Sequence, residues 1–335
     1  MATKTILSNY NVVLGSGNYS AGNNSLGAIT SGIDNTAVGD NVLIALTSGD
    51  ANTFIGHMSG ATITTASNNT SSGADSLSSL VSGSSNNAYG VNSLLSATTA
   101  SRNSALGLNA LLSCTDGNDN VAVGTSTLMN LVSASNNTCI GNDSLKAVTS
   151  GASNSALGLN AGVAITTGGS NTCAGIGALS TTTTGSNCSG IGNGATSTTA
   201  SASNEITLGN GSITALRCNV TTITSLSDLR DKVNVKPLKL GLEYILSTRP
   251  VEFVWNRRDG SDFKKGEKDI GFIAQELKAT QDKFKAAHVD SVLESNPDRL
   301  EASYGRLLPI MAQAIKDLNA KIEKLEKNQK LTKTN

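Results

Sequence analysis

Asn103-Ser104-Ala105-Leu106-Gly107-Leu108-Asn109-Ala110-Leu111-Leu112 is one copy of a pattern that returns every 17 residues without insertion. Its glycine recurs at Gly22, Gly39, Gly56, Gly73, Gly90, Gly107, Gly124, Gly141, Gly158, Gly175, Gly192 and Gly209. Four residues before it stands asparagine, from Asn18 to Asn171, with Cys188 and Glu205 in the last two copies. Four residues after it stands leucine, at Leu26, Leu43, Leu77, Leu94, Leu111, Leu128, Leu145 and Leu179. Gly60, Gly162, Thr196 and Ile213 are the exceptions in that column. A second glycine often follows the first by ten residues, as at Gly32, Gly117 and Gly185. A fixed period of this length marks a repeat architecture.

The apolar stretches are too short for helices, and Gly, Asn and Ser/Thr clusters interrupt them at constant intervals. Gly and Asn tolerate positive φ, so their recurrence places a corner at the same point of every copy. Stacked copies bring Asn over Asn and Leu over Leu, and each buries its leucine against its neighbours. The expectation is a mainly β shaft of 17-residue rungs, either a parallel β-solenoid of one chain or a triple β-helix interleaving three. With strands about 4.8 Å apart, twelve rungs span on the order of 50 Å. The absence of proline before Pro237 fits both forms, because each backbone N–H is needed for bonding between rungs. Tyr10, Tyr19, Phe54 and Tyr89 are the only aromatics of this region, and so thin a core points to oligomerisation.

Residues 1–226 carry four Lys+Arg against eight Asp+Glu, a net of −4, and residues 227–335 carry 21 against 17, a net of +4. No basic cluster is interleaved with aromatics, so nucleic acid is not an expected partner. Met1-Ala2-Thr3-Lys4-Thr5-Ile6-Leu7 has no apolar run of signal-peptide length, and nothing later is long enough to span a bilayer. Synthesis in the cytoplasm, without membrane insertion, is the expectation. Cys114, Cys139, Cys173, Cys188 and Cys218 lack paired C-x-x-C spacing and are read as small buried apolar residues, not metal ligands. No cofactor is expected. Gly175-Ile176-Gly177 is read as corner glycine and not as a phosphate loop, since it does not join a strand to a helix in a βαβ unit. A glycan-degrading shaft would need a carboxylate constellation, and none recurs in register.

The second part of the chain reads as a small α+β domain. It holds all four prolines and the single Trp255. Pro250-Val251-Glu252-Phe253-Val254-Trp255 alternates as a half-buried strand, and Asn256 to Lys268 is a charged loop. Asp269 to Leu277 opens as a strand and turns towards helix. From Leu308 the chain runs in heptads, with Leu308, Ile315 and Ile322 at a and Met311, Leu318 and Leu325 at d. A coiled-coil tail and an amphipathic helix packed on its own domain both satisfy that pattern.

Between the two parts lies Ser227-Asp228-Leu229-Arg230-Asp231-Lys232. This hexapeptide, Arg249-Pro250-Val251 leading to Trp255, Gly271-Phe272-Ile273-Ala274-Gln275-Glu276, and Tyr304-Gly305-Arg306-Leu307-Leu308-Pro309 follow in order. Together they resemble the C-terminal intramolecular chaperone of phage tail spikes and fibres, the peptidase S74 or endosialidase-type family. The repeats more loosely resemble those of viral fibre and adhesin shafts. The first resemblance implies a domain that trimerises, helps the upstream fibre fold and then cuts itself off. It implies Ser227 as nucleophile, Lys232 as general base and Leu226-Ser227 as the scissile bond. A serine needs a base to take its proton, and Ser–Lys pairs are an attested solution. His288 is the only histidine after the hexapeptide, so a Ser-His-Asp triad is not available there. Taken alone, Ser-x-x-x-x-Lys also fits a turn-capping serine beside a solvated lysine.

The expected division is a lead-in over 1–17, the repeat shaft over 18–213, a connector over 214–226 and the chaperone over 227–335 with a helix over 307–330. The expected activity is a single-turnover self-cleaving serine endopeptidase with no external substrate. The expected partners are two further copies of the chain in a homotrimer, a host cell-surface receptor, glycan among the choices, and other virion or tail proteins. The place of action is the virion, as a tail fibre or spike. A fibre whose chaperone stays attached is the alternative. A cellular trimeric adhesin would need an export signal or a membrane anchor.

Overall fold

Every 17-residue copy folds into one rung with a single short strand, formed by the three residues between the recurring Asn and Gly positions. The structure, a computed structural model, describes residues 17–219, 227–256 and 264–333. The expected lead-in apart from Gly17, and residues 220–226 of the expected connector, lie outside the described residues. The strands are β1 (Tyr19–Ala21), β2 (Thr36–Val38), β3 (Thr53–Ile55), β4 (Thr70–Ser72), β5 (Asn87–Tyr89) and β6 (Ser104–Leu106). They continue as β7 (Val121–Val123), β8 (Thr138–Ile140), β9 (Ser155–Leu157), β10 (Thr172–Ala174), β11 (Ser189–Ile191) and β12 (Ile206–Leu208). All twelve form one sheet in chain order. Each pair is parallel and offset by one repeat, as in Ser104↔Val121 and Leu106↔Val123. Neighbouring rungs come from the same chain, so the shaft is a β-solenoid, and the interleaved triple helix is not the form adopted.

Alternation within three residues sets inside and outside. The middle residue points inward, and Ala37, Phe54, Ala88, Ala105, Ala122, Cys139 and Cys173 are buried there. The third residue points outward, as Ile55, Tyr89, Leu106, Ile140 and Leu157 do. The leucine column fills the interior from the corner, with φ between 48° and 54° at its eight leucines. Left-handed backbone costs an L-residue roughly 1–2 kcal/mol, whereas burying a leucine stabilises by about 1.5–3 kcal/mol. Burial therefore holds leucine in a conformation that glycine prefers. Gly60 (φ 65°) is the informative exception. A Cβ there would sit 2.6 Å from the Phe54 ring, so one rung places its bulk on the strand instead of the corner. Gly107 is required for another reason: its φ is 143° and a Cβ would lie 2.4 Å from the Gly124 carbonyl oxygen of the next rung.

The asparagines form a buried ladder. Asn103 Oδ1 accepts from the Asn120 backbone N–H (2.9 Å) and from Asn120 Nδ2 (3.1 Å). Asn103 Nδ2 donates to the Gly117 carbonyl at 2.8 Å, the far side of its own rung. The same arrangement recurs at Asn35, Asn52, Asn69, Asn86 and Asn120. The ladder stops at Cys188, whose N–H still donates to Asn171 Oδ1 at 2.9 Å.

Cysteines occupy three positions of this interior: the strand middle at Cys139 and Cys173, the asparagine column at Cys188, and the position seven after the recurring glycine at Cys114. Cys114, Cys139, Cys173 and Cys188 are buried, but Cys218 is exposed, which corrects the expectation that all five are interior. Cys218 follows the last strand of the repeat and belongs to no rung position shared with the other four.

The chain divides into two units, Met1–Gly211 and Ser212–Asn335. The second contains α1 (Leu242–Ser247), a hairpin of β13 (Pro250–Val254) and β14 (Lys268–Phe272), and α2 (Ala274–Lys283). A small antiparallel pair follows, β15 (Val292–Leu293) and β16 (Glu301–Ala302), and then α3 (Leu308–Lys333). Its core gathers Tyr244, Leu277, Ala286, Val289, Val292, Leu307 and Ile310. Asp317 joins α3 to α1: Oδ2 accepts from the Leu242 N–H at 3.0 Å and Oδ1 from Gln313 Nε2 at 2.8 Å. Helix α3 serves two surfaces. Ile310 and Ala314 are buried in the domain, while Leu308, Met311, Ile315, Leu318, Ile322 and Leu325 of the heptad stripe are exposed. Among the described residues, no helix is long and apolar enough to cross a membrane.

Candidate functional site

The hexapeptide folds into a single 3-10 turn over Leu229–Asp231. Asp228 starts it with extended backbone (φ −68°, ψ 137°), and its Oδ1 accepts from the Arg230 N–H at 2.9 Å. The Lys232 N–H closes the turn on the Leu229 carbonyl at 3.1 Å. Lys232 then points back along the chain. Its Nζ donates to Ser227 Oγ at 2.6 Å and lies 3.2 Å from the Ser227 carbonyl oxygen, to which it also donates. The two residues that the resemblance implies as nucleophile and base are thus in direct contact. Both are exposed. Leu226, on the other side of the expected scissile bond, lies outside the described residues.

The electrostatics of the turn come from its own ion pair. Arg230 Nη2 donates to Asp228 Oδ2 at 2.6 Å, and Arg230 Nε donates to Asp228 Oδ1 at 3.0 Å. The guanidinium, with help from the Arg230 N–H, holds the Asp228 carboxyl below its ordinary value. Asp228 is a residue whose part sequence reasoning missed. Its signal is legible afterwards, since an aspartate followed two residues later by its hydrogen-bond donor is the pattern of a capped turn.

The other three motifs meet in the second unit. Arg249, immediately before β13, pairs with Glu276 in the first turn of α2, with Nε donating to Oε2 at 3.0 Å. The Phe272 N–H donates to Tyr304 Oη at 3.2 Å, and the two rings stand edge to face at 5.6 Å. Gly271 lets Tyr304 approach, because a Cβ there would be 2.6 Å from the phenol oxygen. Trp255 Nε1 donates to Asp269 Oδ2 at 3.1 Å across the hairpin. Phe253, Trp255, Phe272, Gln275 and Tyr304 line a cleft of about 1050 Å³. The strand alternation exposes Phe253 and Trp255 to one face in the sequence, but the arrival of Tyr304 is a long-range contact that no local pattern announces. Among the described residues no group of three or more His, Cys, Asp and Glu gathers to hold a metal.

Residues 227–286 match the family model of Peptidase S74, the chaperone of endosialidase. The matched segment starts at Ser227 and takes in Lys232, α1, the hairpin and α2. This family is associated with self-cleaving chaperone domains. Joined to a β-solenoid shaft, the match is consistent with a protein of the tail fibre or spike type that carries a C-terminal chaperone. No curated protein and no solved structure matches the chain.

Proposed function

We propose that the chain is a trimeric fibre or spike protein for attachment to a host surface. Its C-terminal domain templates trimer folding and then cuts the Leu226-Ser227 bond by a Ser227–Lys232 dyad. The observation that carries this reading is the 2.6 Å approach of Lys232 Nζ to Ser227 Oγ at the first residues of the matched segment.

The chemistry follows from that contact. A neutral Lys232 amine takes the Ser227 hydroxyl proton, and Oγ attacks the Leu226 carbonyl carbon. The tetrahedral species expels the Ser227 nitrogen, which takes the proton from Lys232, leaving the Leu226 acyl group as an ester on Oγ. Water then hydrolyses the ester, giving a Leu226 carboxylate and a Ser227 amine and hydroxyl. A lysine serves as base when desolvation disfavours its charge. One protomer supplies the contact but leaves the pair exposed, so desolvation has to come from assembly.

Two apolar surfaces support self-association. On the shaft, Tyr89, Leu106, Ile140 and Leu157 belong to one exposed column, with Val91, Leu108 and Leu159 on the same rungs also exposed. On α3 the heptad stripe from Leu308 to Leu325 is exposed. Exposed apolar patches of this extent mark interaction surfaces. A host receptor and further virion proteins complete the set of partners, and the virion is the place of action.

The test is a gel and mass measurement on the full chain. Wild type is expected to yield an N-terminal fragment ending at Leu226, with Ser227→Ala and Lys232→Ala remaining full length. A Ser227→Ala chain cut at the same bond would sink the mechanism. The exposure of both residues in one protomer favours a second reading, a fibre whose chaperone remains joined, and an uncut wild type would establish it.

A further inference from the structure

We infer that Asp228 is a positioning residue for the Ser227–Lys232 pair, acting through the turn that it caps; this rests on reading the pair as nucleophile and base. Ser227 and Lys232 are five residues apart, and an extended chain of that length spans about 17 Å. Contact at 2.6 Å therefore requires the chain to reverse between them. The reversal is the 3-10 turn Leu229–Asp231, and none of its residues is buried. Packing does not hold it in this protomer, so its shape depends on local hydrogen bonds.

Asp228 supplies the side-chain part of those bonds. Its carboxylate accepts the Arg230 backbone N–H and grips the Arg230 guanidinium with both oxygens. The carboxylate thereby fixes the backbone of Arg230 in the middle of the turn, two residues before the lysine. Releasing it lets Lys232 swing away from Ser227 without touching either reacting group. Small misplacements of a reacting group cost up to about 100-fold in rate.

The inference is tested on the full chain by following the N-terminal fragment through a time course of cell-free synthesis. Asp228→Ala is expected to lower the first-order rate of cleavage about tenfold or more. Asp228→Asn and Asp228→Ser keep an acceptor for the Arg230 N–H and are expected to stay within about threefold of wild type. Oligomeric state and melting temperature are expected to be the same in all four proteins. Asp228→Ala cutting at the wild-type rate would overturn the inference. So would Asn and Ser variants as slow as Ala, or a slowing that follows lost assembly. A wild type that stays joined removes the dyad and this inference together. A wild type that cuts beside an equally fast Asp228→Ala removes only the role of Asp228.

Discussion

A buried asparagine destabilises a fold unless both its amide atoms are met, and the shaft meets them by stacking one asparagine on the next. The ladder makes a specific demand at Asn103. Asn103→Leu strips the acceptor from Asn120 N–H and Nδ2 and the donor from the Gly117 carbonyl. The expected loss is about 2–4 kcal/mol, because buried partners are left unsatisfied. A denaturant midpoint equal to that of wild type would show that the ladder does not bind the rungs together. The thiols give a second residue-scale expectation. Burial pushes Cys114 up to about 11 and Cys173 up to about 12, and raises Cys139 as well. Only Cys218 is expected to react rapidly with a thiol reagent in the native protein, read as one adduct per chain by mass. These raised values also set the sign of a pH dependence. The folded thiols hold protons that the unfolded chain gives up, so their contribution is full below about 9 and is lost as pH rises through about 11 to 12. A denaturation midpoint that rises over that range would contradict the assignment.

At the scale of elements, α3 shows how one helix holds two patterns. Ile310 and Ala314 dock it on its own domain, while the heptad stripe through Ile315 and Leu318 faces outward. Ile315→Glu is therefore expected to leave the domain folded and to lower the oligomeric state, as read by sedimentation. A monomeric wild type, or an unchanged oligomer in the variant, would remove the stripe from the assembly. The heptads were legible in the sequence because they repeat. The docking face was not, since Ile310 and Ala314 alone do not make a period. Asp317 was illegible for a different reason: its partner Leu242 lies 75 residues away. The rungs were the most legible element, because one error in register would spoil twelve copies at once. Their corner was only half read. The recurring glycine implied positive φ, but the leucine column adopts it too, and only the space left by Gly60 beside Phe54 reveals why.

At the scale of the whole molecule, the repeat raises a problem that the second unit is suited to solve. A slip of one rung between associated shafts would exchange Leu106 for its counterparts Tyr89 or Val123 and satisfy nearly the same contacts. A cap that assembles first fixes the ends in register before the shafts pack. Removing the cap afterwards leaves a product that cannot easily retrace its folding path, which is kinetic and not equilibrium stability. The place proposed for such a device was legible in the sequence as the change from a proline-free repeat to an ordinary domain. The contact between Ser227 and Lys232 needed the turn, and the turn needed Asp228. The most direct test is the mass of the purified full chain, native and denatured. A trimer of fragments covering residues 1–226, with a released fragment of 109 residues beginning at Ser227, is the expected result. Intact 335-residue chains in the assembled protein would contradict it.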